Sequence, residues 1–373
     1  MNTFSYVGYL RPIKDSENRK SFSVTHYDSG WMSERLRFIV QAGDNTQFVE
    51  INAGRWVDEN KNVIYGMTRS ENGKKGESFQ VPWSQRNDPT VIDKMAGWKI
   101  YTVDLDTKSH RSEIEKSGDT EALAASKKKE HHFLAPTEFC EYVNRVVNSD
   151  KIKNIKFRVN GNINYTYSSK DDRYYSTYEV TKIYKVDDDV DIDSSVNIDF
   201  FYTENAMDCE DYSETGKAIV SGYTQFYDNN TKKSWFCPIV LAMRCGTDEA
   251  GKKKIKGWKK VFSKFEDDEV RKMGLACQQI NGSSRAAVTY EDLSEDTREF
   301  IDLGLISLED AIRDVGGSKV GDKIQEIRIE KPGRGFSTGS EPTTYEVADL
   351  IKKPIKETSV DSIVDDDDDE DIL

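Results

Sequence analysis

The chain has 373 residues, a net charge of −14, 36% apolar and 32% charged residues, so it holds two or three domains with small cores and well-solvated surfaces. No apolar run approaches the ~18 residues that cross a membrane, and the N-terminus carries no secretory pattern. Five widely spaced cysteines without a C-x-x-C, and four histidines of which two are adjacent, exclude a zinc pattern and point to reduced thiols in a cytosolic setting.

Residues 4–13 (FSYVGYLRPI) read as an opening strand with Gly8 in its middle, and residues 22–27 as a second. In residues 34–41, Leu36, Phe38 and Val40 share one face while Arg35, Arg37 and Gln41 share the other, the period of a half-buried strand. Residues 47–51 and 62–69 continue the pattern between polar turns. A short helix over 89–95 and a strand over 98–103 close the set, so residues 1–105 are expected to form an oligonucleotide-binding (OB)-like barrel. Residues 106–134 are rich in Ser, Lys, Glu, Asp and Ala and predict a flexible linker. A helix is predicted over 135–148, with Pro136 in its first turn and Phe139, Tyr142, Val143 and Val146 as its apolar stripe.

Residues 155–186 are the clearest β signal. Ile155, Phe157, Val159, Ile163, Tyr165 and Tyr167 alternate with polar residues, a polar turn follows, and residues 173–186 form an aromatic-rich partner strand. Together with strands over 195–203, 217–228 and 234–244 they predict a second five-stranded OB-fold barrel within residues 135–265. Residues 251–265 hold seven lysines with Trp258, Phe262 and Phe265 interleaved. Residues 266–355 are expected to be a helical appendage: a helix over 266–280, short helices capped by Ser294 and Ser307, and a returning strand over 323–330. Residues 356–373 are expected to be a disordered acidic tail. Its last fifteen residues carry eight acids and no base, more than half of the net charge, so any nucleic-acid site must be a local patch. The fold class expected is mainly β with α insertions: two OB-like five-stranded barrels, a helical appendage and the tail.

Catalytic and metal motifs fail on spacing. The acid run from Asp187 to Asp193 places isoleucines at the turn-glycine and bidentate-glutamate positions of a calcium loop. Lys319 lacks the spacing of a phosphate-binding loop, and no nucleophile or metal-hydrolase motif occurs. The expectation is no enzyme, no cofactor and no metal. A single nucleic-acid strand is held by bases stacked on aromatics and by cations along its phosphates. Stacking candidates are Tyr165, Tyr167, Tyr174, Tyr175, Tyr178, Trp235 and Trp258. Phosphate candidates are Arg35, Arg37, Arg158, Arg173, Lys182, Lys253, Lys254, Lys259 and Lys260, and the second barrel is the expected primary groove.

The C-terminal run Asp365, Asp366, Asp367, Asp368, Asp369, Glu370 and Asp371, ending in Ile372 and Leu373, resembles the tails of bacterial and phage single-stranded DNA-binding proteins, although it lacks the Pro-Phe of the bacterial ending. The strand F-x-V-x-G-N-I at Phe157 to Ile163, the Y-Y-x-x-Y-x-V-x-x-I-Y run from Tyr174 to Tyr184 and the segment from Asp292 to Leu305 are similar to large phage-encoded members. That resemblance implies tandem OB domains without enzymatic activity, single-stranded DNA as partner, and a role in phage DNA replication or recombination. It also implies replication or recombination proteins recruited by the tail, and the cytoplasm of an infected bacterial host as the setting. The rival readings are an acidic protein-binding factor that mimics DNA, or a phage structural protein. The acid runs at Asp187 and Asp365 motivate the mimic.

Overall fold

The computed structural model describes residues 2–16, 20–70, 74–263, 269–287, 290–314, 318–333 and 341–354. The acidic tail and its candidates Asp365 to Leu373 lie outside them.

Strands β1 (Thr3–Pro12), β2 (Phe22–His26), β3 (Trp31–Ala42) and β4 (Asn45–Trp56) open the chain. Along β3 every second residue, from Met32 to Ala42, is buried and the residues between are half-exposed. The next segment holds β5 (Val63–Met67), β6 (Ser78–Pro82), α1 (Pro89–Lys94), β7 (Tyr101–Asp104), α2 (Lys108–Ser117), α3 (Thr120–Lys127) and β8 (Glu130–Phe133). It leads into α4 (Pro136–Val147), β9 (Lys156–Ser168) and β10 (Arg173–Lys185). The second half runs β11 (Asp193–Tyr202), β12 (Met207–Asp208), α5 (Tyr212–Thr215), β13 (Lys217–Asp228), β14 (Lys233–Arg244), α6 (Glu249–Phe262) and β15 (Arg271–Ala287). It ends with α7 (Glu295–Asp302), α8 (Leu308–Asp314), β16 (Ser318–Pro332), β17 (Glu341–Pro342) and α9 (Val347–Ile351). The protein is mainly β with several helices.

Pairing closes two circuits. In the first, β1 pairs β3, β3 pairs β4, β4 runs parallel to β10, β10 pairs β9, and β9 returns to β1. In the second, β11 pairs β13, β13 pairs β14, β14 runs parallel to β16, β16 pairs β15, and β15 returns to β11. With the intervening elements set aside, each circuit has the same order: three antiparallel strands, a helix (α4 or α6), then two strands of which the last lies parallel to the third. In each, the helix turns its apolar side into the core. Amphipathic α4 buries Phe139, Cys140, Val143, Val146 and Val147 in the first circuit, and α6 buries Ile255, Trp258 and Phe262 in the second. A close backbone approach fixes the first circuit at Gly161, where a Cβ would run into the Glu179 carbonyl and the Phe4 ring. The circuits meet where residues 3–7 of β1 pair antiparallel with residues 193–197 of β11, and one apolar core runs through both, from Phe4 to Ile329.

Three expectations are corrected. The strands over 155–186 and the helix over 135–148 complete the first circuit instead of starting the second, because β9 pairs β1 and β10 lies against β4. The segment 106–134 is a capped helical hairpin between paired strands β7 and β8, not a linker. Its polar composition hid the ties that order it. Thr107 and Asp119 side chains cap α2 and α3, and Gly118 turns between them at φ 75°. Arg111 holds Asp104 and Glu130 at 3.0 and 3.1 Å. Finally, residues 271–287 form a strand where a helix over 266–280 was expected. Met273, Leu275 and Cys277 are buried alternately, which is the strand period.

Candidate nucleic-acid interface

The residues between the buried positions of β3, β4 and β10 form one outward face on the first circuit. Cross-strand register sets its rows: Ile39 opposite Phe48, Arg37 opposite Glu50, Arg35 opposite Asn52, Ser33 opposite Gly54, and Trp31 opposite Trp56. The parallel contact aligns Glu179 of β10 with Glu50. From Phe48 to Trp56 the face is about 27 Å long at ~3.4 Å per residue. One end holds Phe48 and Tyr175, 43% and 48% exposed. The middle holds the two guanidiniums, and the other end the indoles.

Glu50 organises the middle. Its carboxylate accepts Arg35 Nε and Nη2 at 3.0 and 2.6 Å, Arg37 Nε lies 3.5 Å away, and Asn52 donates to its other oxygen. So tied, the Arg35 and Arg37 side chains stay 43% and 29% exposed. Burial raises the Glu179 carboxyl above its usual range; neighbouring Glu50 adds to this, and an Asn164 donor opposes it. A depression of about 490 Å³ lies over Arg35, Arg37, Phe48, Tyr175 and Tyr178 and reaches Gln279 and Gln325 of the second circuit.

A larger depression, about 650 Å³, opens at the indole end. Trp31, Gly54, Trp56, Glu179 and Thr181 supply its floor, and Tyr65, Trp83, Trp98 and Lys99 from the segment between β4 and α4 supply its wall. Trp31 and Trp56 meet edge to face at 5.3 Å. The Trp31 ring lies where a side chain at residue 54 would stand, so Gly54 is needed to seat it. Lys61 sits over the Trp56 ring at 5.7 Å and Lys99 over Trp98 at 4.9 Å.

The structure brings Arg35, Arg37, Tyr175 and Tyr178 together. The Tyr178 ring packs on Phe4 and Tyr6 at 5.7 and 6.1 Å, and burial pushes its hydroxyl up to about 12 against an opposing Gln279 hydrogen bond. Arg173 is exposed at the start of β10, while exposed Arg158 and half-exposed Lys182 line neither depression. Tyr165 is 7% exposed and belongs to the core. Tyr167 packs on Tyr174 at 5.0 Å and donates to Asp172, and Tyr174 packs on Phe226 at 6.0 Å. Trp235 donates its Nε1 hydrogen to Thr231 and turns its ring to the core, and Trp258 is buried against Phe262. Both rings pack against the apolar core. Lys253, Lys254, Lys259 and Lys260 occupy the solvent side of α6 and line neither depression.

Reasoning from the sequence missed Trp31, Phe48, Trp56, Tyr65 and Trp98. Carrying the two-residue period of Arg37 and Arg35 back through Ser33 reaches Trp31, so that signal was present. Trp98 and Tyr65 had none, because their segment folds over the face only in three dimensions.

No protein-family model matches this chain, and no curated protein sequence matches it. Among solved structures, the single-stranded DNA binding protein of Thermus aquaticus is similar, in wild-type form and as a deletion mutant. Both are 8% identical at a TM-score of 0.30, with 75% of this chain covered. The alignments span 85% of the wild-type chain and 87% of the mutant.

Proposed function

We propose that this protein binds single-stranded DNA without catalysis, the strand lying across the outward face of β3, β4 and β10. One observation carries the reading: a single open face holds paired guanidiniums between two aromatic ends, the combination that takes phosphates and bases together. Strand order supports reading each circuit as an OB-like barrel, and such barrels use their second and third strands for oligonucleotides, here β3 and β4. In this reading the first barrel carries residues 57–135 as an insertion and serves as the primary groove. The sequence resemblance and the acid-ended tail support a role in coating single strands during phage DNA replication or recombination, with the tail recruiting partner proteins.

Titration of labelled oligo-dT at several salt concentrations tests it. Binding is expected to weaken with a slope of about −0.7 per phosphate neutralised. The double variant Arg35→Ala/Arg37→Ala is expected to bind more weakly and to lower the slope's magnitude by about 1.4, two phosphates' worth. Absence of binding by the native chain at low salt would overturn the proposal.

A further inference from the structure

We propose that the 650 Å³ depression at the indole end is a base-seating pocket, in which unpaired bases stack between the sheet and the segment folded over it. This rests on the single-strand reading and adds a place where the strand leaves the flat face. Four observations carry it. Trp98 and Tyr65 stand 63% and 65% exposed on the wall of one depression, an exposure that soluble surfaces reserve for ligands when it is clustered. Trp31 and Trp56 line the same depression, and the Trp31 ring packs over Gly54. The volume lies in the range of pockets that enclose a small ligand. Lys61 and Lys99 lie over the Trp56 and Trp98 rings, placing positive charge at the rim.

The lysines decide the ligand class. A quaternary ammonium in an aromatic cage here would lie beside two lysine ammoniums, 5.7 and 4.9 Å from the Trp56 and Trp98 rings, and be repelled by them. A proline-rich peptide would stack on indoles but has no use for the charge. A base carried on a phosphate chain uses both, with the ring between indoles and the phosphates against Lys61 and Lys99.

The test is photocrosslinking of full-length protein to oligo-dT carrying single 5-iodouracil substitutions, with titration of Trp98→Ala and Tyr65→Ala. Both residues are exposed, so the variants should keep the native circular dichroism. Crosslinks are expected at Trp98, Tyr65 or Trp31. Each variant should lose about tenfold in affinity, the size of one base stack, with the salt slope unchanged. An abasic gap in the oligonucleotide should weaken native binding yet cost Trp98→Ala little more, a coupling that a merely structural residue would not show. Crosslinks confined to Tyr175 or Phe48, with native affinity in both variants, would overturn the pocket and leave the single-strand reading intact. Capture of a proline-rich peptide by the native chain but not by Trp98→Ala, without base crosslinks there, would overturn it in favour of a peptide site. No oligonucleotide binding at all would remove both proposals.

Discussion

At the scale of single residues, the two faces of β3 carry opposite electrostatic problems. On the outer face Arg35 and Arg37 share Glu50 near solvent. On the inner face Glu34 is 3% exposed and its Oε2 has no hydrogen-bond partner among the described residues. Burial, helped by Glu141, raises its carboxyl to about 7, and Arg55 offsets only part of this. The folded state therefore keeps a proton that the unfolded chain has lost above its usual value of 4.5. Stability should fall as pH rises from about 4.5 to about 7 and then level off. Glu34→Gln removes that slope and should be the more stable protein at pH 8, by on the order of 2 kcal/mol. Urea melts of both proteins at pH 5 and pH 8 check this, and equal slopes with pH would refute it. The alternation of Arg35, Leu36, Arg37 and Phe38 made the faces of β3 readable in the sequence. A glutamate on the apolar side was not, because a period cannot tell a buried acid from a break in the pattern.

At the scale of elements, the strands were legible and their partners were not. A hairpin such as β9–β10 is joined by a short turn, so chain order gives its pairing. The parallel contacts of β4 with β10 and of β14 with β16 close over long intervening segments and leave no local trace. The helical hairpin of α2 and α3 went unread for another reason: its order comes from caps and from Arg111, not from an apolar stripe. The closure of the second circuit is fastened by charge as well. Glu326 of β16 binds Arg244 of β14 at 2.9 Å, Arg328 beside it at 2.8 Å, and Lys217 of β13 at 3.3 Å. Burial would raise this carboxyl, but the Arg244 and Arg328 hydrogen bonds outweigh it and hold it at about 2. Its contribution is complete above about 4.5, the unfolded value, and is lost as pH falls towards about 2. Glu326→Ala also leaves three cations crowded at the seam. It should destabilise by about 1–3 kcal/mol at pH 7, and the difference from the native chain should shrink by pH 2.5. Thermal melts at the two pH values decide it, and a difference that does not change with pH would mean that the knot is inert.

At the scale of the whole molecule, the two circuits are joined first strand to first strand. The early half of β1 pairs with the early half of β11, and each strand then continues into its own circuit, β1 with β3 and β11 with β13. The junction thus has a local twofold character, but the two outer faces differ. On the second circuit Tyr223 and Phe236 are covered by Tyr345 and Leu350 of the C-terminal segment, whereas on the first the indoles and guanidiniums stay open. That covering explains why the open face belongs to the first circuit although the second half of the sequence is richer in lysine-flanked aromatics. Polar ties cross the junction too: Tyr6 donates to Gln279 at 2.5 Å, Gln47 to the Gln279 carbonyl at 2.8 Å, and Asn281 to the Thr46 carbonyl at 2.7 Å. With β1 paired to β11 and one apolar core through both circuits, neither can open without exposing the other's strand edge, so the pair should unfold as one unit. Gly161→Ala tests this from one side. Its Cβ meets the Glu179 carbonyl, which cannot move without parting β9 from β10, so the first circuit should lose about 2–3 kcal/mol. In a coupled molecule the slowest amides of β13 and β14 exchange only through global opening, and their protection should fall by the same free energy. If those amides keep native protection while β9 and β10 lose theirs, the circuits are separate cooperative units and the junction is only a contact between them.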